Sequence, residues 1–148
     1  MNYWIFGAWN IRHALRNGIM GEWAIEIVHP ISKGDKALIY VLQESKHNPS
    51  GKGKGCFVGD FTVDSEPITI EGPWIWAEHV YEANVSVPGF KLRDFRLWNF
   101  ALGKDELVQN RVDINLGMLR AGKGVVKIDR ETFLRIVDAY SRKVEGAV

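Results

Sequence analysis

The sequence predicts an α+β fold: a small mixed β-barrel with flanking helices, closed by a C-terminal amphipathic helix. Three observations carry this expectation. Short apolar segments rich in β-branched and aromatic residues recur at 3–7, 36–43, 56–64 and 76–87. Gly, Pro, Asn and Asp punctuate the chain between them, as hairpin and loop chemistry requires. Helical periodicity is clear near each end, most of all over the last twenty residues. At 148 residues, with no repeat or linker, the chain reads as one domain spanning 1–148.

Residues Tyr3 to Gly7 predict a short buried strand. Asn10 to Gly18 follows as a helix: Asn10 suits an N-cap, Ile11, Ala14 and Leu15 share a face, and Asn17-Gly18 suits a stop. Gly21 to Ile25 fits a strand or an irregular segment equally. Pro30 to Asp35 is a turn, with Lys33-Gly34-Asp35-Lys36 explained by turn chemistry rather than phosphate binding. It feeds a strand from Lys36 to Gln43 that is apolar on both faces, Leu38, Tyr40 and Leu42 against Ile39 and Val41, and hence central. Ser45 to Gly55 is a basic loop.

The return strand, Cys56 to Asp64, sets Phe57, Phe61 and Val63 on one face, with Gly59 marking a bulge or a close backbone approach. Glu66-Pro67 ends it. Trp76 to Val87 alternates as a half-exposed strand that Pro88-Gly89 closes. In the stretch 90–128 only a short helix, Lys104 to Asn110, stands out, followed by a Gly-rich segment from Asn115 to Val126. Asp129 then caps a helix whose Phe133, Ile136, Val137, Tyr140 and Val144 form one stripe, a lid across the barrel.

Composition narrows the function. Nineteen basic residues against eighteen acidic ones exclude the broad basic field of a protein that wraps duplex DNA through its phosphates. Any nucleic-acid site is therefore small, with local charge. No apolar run approaches the roughly 18 residues of a transmembrane helix, and the N-terminus lacks the pattern of a secretion signal. The single cysteine, Cys56, reads as a buried structural residue, and no Cys/His spacing suits zinc. These features predict a cytoplasmic protein with no membrane, metal or cofactor partner. Hydrolase elbows, zinc-protease helices, phosphate loops and dinucleotide fingerprints are all absent, so an enzyme is not expected; a Cys56–His79 pair across adjacent strands is the one nucleophilic arrangement conceivable. Six Trp remain to be accounted for. Such flat, partly polar side chains pack cores, and they also build recognition surfaces.

Four segments together resemble the EVE family, a branch of the PUA-like superfamily that includes ASCH and YTH domains. They are Tyr3-Trp4-Ile5; Trp23 some twenty residues on; Ile31-Ser32-Lys33-Gly34-Asp35-Lys36-Ala37-Leu38-Ile39-Tyr40; and Val58-Gly59-Asp60-Phe61-Thr62-Val63-Asp64-Ser65-Glu66-Pro67. Asp129-Arg130-Glu131-Thr132-Phe133-Leu134-Arg135-Ile136 fits the family's ending. The resemblance spans nearly the whole chain, weakest over 90–118, and is most like a compact archaeal-type group. It implies a PUA-like barrel whose pocket accepts a flipped or single-stranded nucleobase, a modified one above all, of RNA or DNA. Carried onto this sequence, it implies Trp23 as a pocket wall and Asn10 as reader of a base edge. Tyr40 and Gln43 would line the pocket, with Leu119 and Arg120 as a basic contact from the Gly-rich segment. Trp9, where relatives carry a small or polar residue, would be a second wall or a plug. Lys52, Lys54 and Lys123 would add phosphate contacts. Stacking on an aromatic contributes roughly 1–3 kcal/mol per base. An alternative of another class is a protein-interaction module that uses the edge Trp74–Trp76.

Overall fold

The computed structural model describes residues 1–8, 11–25, 30–41, 55–71, 74–76, 79–81, 86–114 and 124–146, without the side chains of 12, 74–76 and 79–81. The elements run β1 (Tyr3–Ala8), α1 (Ile11–Met20), β2 (Glu22–Ala24), β3 (Lys36–Val41), β4 (Cys56–Val63), β5 (Ile68–Glu71), β6 (Trp74–Trp76) and β7 (His79–Tyr81). They continue with β8 (Ser86–Leu102), α2 (Lys104–Gln109), β9 (Val125–Ile128) and α3 (Arg130–Gly146). The main sheet is a curled half-barrel in the order β2-β8-β4-β3-β1-β9, with β5 also on β8. It is mixed: β1 and β3 run parallel, and the other pairs are antiparallel. Strands β6 and β7 form a separate hairpin.

Period-2 alternation in β1 and β3 sends side chains to two cores, one on each face of the sheet. Under α1 lie Trp4, Phe6, Trp23, Ile39, Phe61 and Phe90. Under α3 lie Ile5, Leu38, Phe57, Trp98, Phe133 and Ile136. Strand β3 is central, as its two apolar faces predict. Gly59 is the expected irregularity: the β3–β4 register slips between Ile39 and Tyr40, and a Cβ at Gly59 would collide with the Arg96 carbonyl oxygen. The slip has a consequence that the sequence pattern hides. Phe57 joins the α3-side core while Phe61 and Val63 join the other, so the expectation of one shared face is corrected.

Strand β8 departs most from expectation. Pro88-Gly89 does not close a strand; it lies inside one of seventeen residues. Gly89 pairs with Ala24 of β2 and with Ile68 of β5, and a Cβ there would strike Ile70 and the Trp23 carbonyl. The expected strand Trp76 to Val87 is instead β6, β7 and the first residues of β8. Irregular pairing with β4, with Asp94 at φ 54°, breaks the alternation of 90–102 and conceals it as a strand. Helix α1 also runs two residues beyond its expected stop. Gly18 sits beneath the Phe95 ring with no room for a Cβ, and the helix ends at Gly21, φ 70°.

The Lys33-Gly34-Asp35-Lys36 turn is built around one carboxylate. Asp35 is 3% exposed and accepts hydrogen bonds from Trp4 Nε1 (2.9 Å), the Asn2 N–H (3.0 Å) and the Ser32 N–H (3.1 Å). Gly34 takes φ 95°, where a side chain would be strained. Two segments distant in sequence are thus joined at the start of β1 and β3. Helix α3 begins as expected, the Asp129 carboxylate accepting the Thr132 N–H at 2.7 Å.

Candidate nucleic-acid interface

One end of the sheet gathers the chain segments that the sequence singles out. Ala8, the last residue of β1, is in register with Val41, the last of β3, and Val41 with Cys56, the first of β4. Phe57 is opposite Leu102, the last of β8, and Phe6 is opposite Val125, the first of β9. The segments holding Trp9 and Asn10, Gln43 with Lys52 and Lys54, and Leu119, Arg120 and Lys123 therefore all attach to strand ends at this side. Those eight residues themselves lie outside the described ones.

At the same end a groove of about 530 Å³ opens between the starts of β4 and α2, the end of β8 and the last turns of α3. Gly55, Asn99, Phe100, Lys104 and Lys143 are among its walls. Phe100 is 37% exposed, which is unusual for a large aromatic. Lys143 Nζ donates to Glu106 Oε1 at 2.6 Å and to the Ala101 carbonyl at 2.6 Å. Glu106 in turn accepts the Gly103 N–H at 3.0 Å. Burial works to raise the Glu106 carboxyl, but the hydrogen bond and charge of Lys143, with the backbone N–H bonds, outweigh it and hold the group below the usual carboxylate range. The groove thus offers an exposed aromatic ring, the primary amide of Asn99 and the ammonium of Lys104, beside the carboxylate of Asp105 and the paired Lys143 and Glu106. Its size suits a planar ligand.

Trp98 Nε1 donates to Asp60 at 2.6 Å, and its ring stacks on Tyr140 at 4.4 Å. Arg96 pairs with the same carboxylate at 2.7 Å and lies over the Tyr140 ring. The Tyr140 hydroxyl accepts the Asn99 N–H at 3.0 Å. These bonds fix the β8 backbone that carries Asn99 and Phe100, so the wall of the groove is set from behind.

Two sequence-named residues need correction. Trp23 and Tyr40 do not line one pocket, because they lie on opposite faces of the sheet. Trp23 is 1% exposed, stacks on Phe61 at 5.4 Å and meets Phe6 edge-on and the His13 ring. That is a core position. Tyr40 packs edge-on to Phe57 in the other core, under Gly55. The hydrogen-bonding partners of Cys56–His79 chemistry are likewise separated: Cys56 is in β4, whose neighbours are β3 and β8, while His79 is in the β6–β7 hairpin. Among the described residues no cluster of His, Cys, Asp and Glu could hold a metal ion.

The architecture has close counterparts among solved structures. A hypothetical protein from Leishmania major superposes with a TM-score of 0.59 at 15% identity, over 97% of this chain and 96% of that one. The ASCH protein of Zymomonas mobilis does so at 0.59 and 11% identity, over 93% and 95%. The fold is PUA-like. The N-terminal domain of Staphylothermus marinus McrB matches at 0.50 and 14% identity, covering 92% of this chain and 93% of that domain. No family model and no curated protein matches the sequence. Within this PUA-like frame, Asn99, Phe100, Lys104 and Lys143 are groove-lining residues, candidates for the site, that sequence reasoning missed. The one available signal was an aromatic-amide pair, Asn99-Phe100, inside a stretch that showed no regular period.

Proposed function

We propose that the protein is a non-enzymatic, cytoplasmic module of EVE type that holds a nucleobase of RNA, or of single-stranded or flipped DNA, at the convergent strand ends. The observation that carries this reading is the groove beside Phe100. It sets a stacking face, an amide and a lysine at the end where every basic segment named from the sequence attaches. Similarity of fold to an ASCH protein and to the McrB N-terminal domain supports it. Physically, Phe100 stacks a base at roughly 1–3 kcal/mol. Asn99 meets the base edge, while Lys104 and the segments with Lys52, Lys54, Arg120 and Lys123 meet phosphates. A modified base is preferred only modestly, since one buried methyl adds about 0.8 kcal/mol.

The test is fluorescence anisotropy of short labelled single-stranded oligonucleotides, with and without modified A and C, at two salt concentrations. Saturable binding is expected, weakened about five-fold or more by Phe100→Ala and with a shallow salt slope from few phosphate contacts. No binding at high protein concentration, or binding indifferent to Phe100→Ala and Lys104→Ala together, sinks the reading. It would redirect attention to the β6–β7 hairpin of Trp74–Trp76, beside which α1 exposes Ile19 and Met20.

A further inference from the structure

The end of β8 carries more chain than its neighbour can pair. Pairing with β4 jumps from Leu97 opposite Gly59 to Leu102 opposite Phe57, so four residues, Trp98 to Ala101, lie opposite the single Val58. Such a bulge interrupts the ladder and re-aims the side chains it carries. Here the effect falls on Phe100. In an unbroken strand Trp98, Phe100 and Leu102 would share one face. Trp98 and Leu102 are buried in the α3-side core, at 6% and 0% exposed, whereas Phe100 is turned out to 37%.

A bulge leaves backbone groups that must find partners outside the ladder. Two of them do so on α3, one on either side of Phe100. The Asn99 N–H donates to the Tyr140 hydroxyl at 3.0 Å, and the Ala101 carbonyl accepts from Lys143 Nζ at 2.6 Å. Tyr140 and Lys143 are three residues apart, hence neighbours on one side of the helix. Both are held in turn. The Tyr140 ring stacks on Trp98 at 4.4 Å with 13° between the planes, and Trp98 Nε1 donates to Asp60 of β4 at 2.6 Å. Lys143 Nζ also donates to Glu106 Oε1 at 2.6 Å, and Glu106 accepts the N–H of Gly103, the residue after β8. The bulge is thus fastened to β4, α2 and α3, and its one exposed ring is Phe100.

We propose that Tyr140 and Lys143 are positioning residues: without touching the ligand, they hold the Trp98–Ala101 bulge in the shape that offers the Phe100 face to a base. Their role rests on the reading of the Phe100 groove as the base site. A residue that acts only through Phe100 can weaken binding no more than Phe100→Ala does, and its effect disappears once that ring is gone. A Lys143 that met phosphate itself would contribute the same affinity with or without Phe100.

Two measurements test this role. In the first, a labelled single-stranded oligonucleotide is titrated with wild type, with Tyr140→Phe, with Lys143→Met plus Glu106→Gln, and with each of these combined with Phe100→Ala. Tyr140→Phe keeps the ring on Trp98. Lys143→Met with Glu106→Gln removes the ion pair without changing net charge, so a long-range charge effect is not mistaken for positioning. Each is expected to weaken binding about three-fold, the size of one neutral hydrogen bond. In the Phe100→Ala background each should change it by less than about two-fold. The second measurement, amide hydrogen exchange, needs no ligand. The Asn99 N–H should exchange about ten-fold faster in Tyr140→Phe, while the Leu92 N–H, bonded to the Gly21 carbonyl, keeps its rate. Equal losses with and without Phe100 would overturn the positioning role, as would an Asn99 rate unchanged in Tyr140→Phe. Wild-type protein that binds no oligonucleotide would overturn the base-site reading and the ligand role with it, whatever the exchange rates.

Discussion

At the residue scale, the same side chain type serves opposite ends, and burial decides which. Trp23 is the residue that family resemblance would make a pocket wall, yet Phe6, His13 and Phe61 surround its ring and leave it 1% exposed. Its value here is packing. Trp23→Ala should cost about 3–5 kcal/mol, the usual range for removing a large buried aromatic, measurable as a fall in the urea midpoint. A loss of that size approaches the whole stability of an ordinary domain, so lost ligand binding in this variant would report unfolding first. Phe100, 37% exposed, is the aromatic whose removal spares the core. Sequence periodicity cannot separate these two cases. Trp23 follows Gly21-Glu22 on a three-residue strand, too short for a pattern, and Phe100 sits on a strand whose pattern is broken by its bulges.

At the element scale, legibility followed regularity. Strands β1 and β3 and helix α3 are readable because each keeps one period throughout: 2.0 in the strands, 3.6 in the stripe Phe133, Ile136, Tyr140. Strand β9, four residues behind a Gly-rich segment, and β5, just after Glu66-Pro67, are too short to announce themselves. Asn17-Gly18 misled for a different reason. Both residues suit a helix end, but here Gly18 was selected by contact and Asn17 by burial. The Phe95 ring occupies the place of a side chain at Gly18. Gly18→Ala should therefore destabilise, although Ala favours a helix over Gly by about 1 kcal/mol. The overpacking cost, typically 1–3 kcal/mol, exceeds that gain. A thermal melt showing a higher Tm in Gly18→Ala would refute this account of α1.

At the scale of the whole molecule, pH dependence follows from one buried base. His13, on the buried face of α1, is 2% exposed, and desolvation lowers its pKa from 6.5 to about 4. The folded protein therefore carries it neutral, while the unfolded chain protonates it below about 6.5. Stability from this group is complete above pH 6.5 and is lost as pH falls toward 4, by roughly 3 kcal/mol in total. Urea midpoints measured between pH 7 and 4 should decline, and His13→Gln should flatten that part of the curve. A wild-type profile that stays flat over this interval would contradict a buried, neutral His13.

The pairing of β1 with both β3 and β9 bears on how the protein is made. A ribosome delivers Tyr3–Ala8 early, but one flank of that strand waits for Val125–Ile128, more than a hundred residues later. Until then the nascent chain holds an apolar strand with an open flank, the kind of surface that chaperones shield. Closure of the sheet is a late event of synthesis, and ribosome-stalled chains that end before β9 should remain protease-sensitive while those that expose α3 do not.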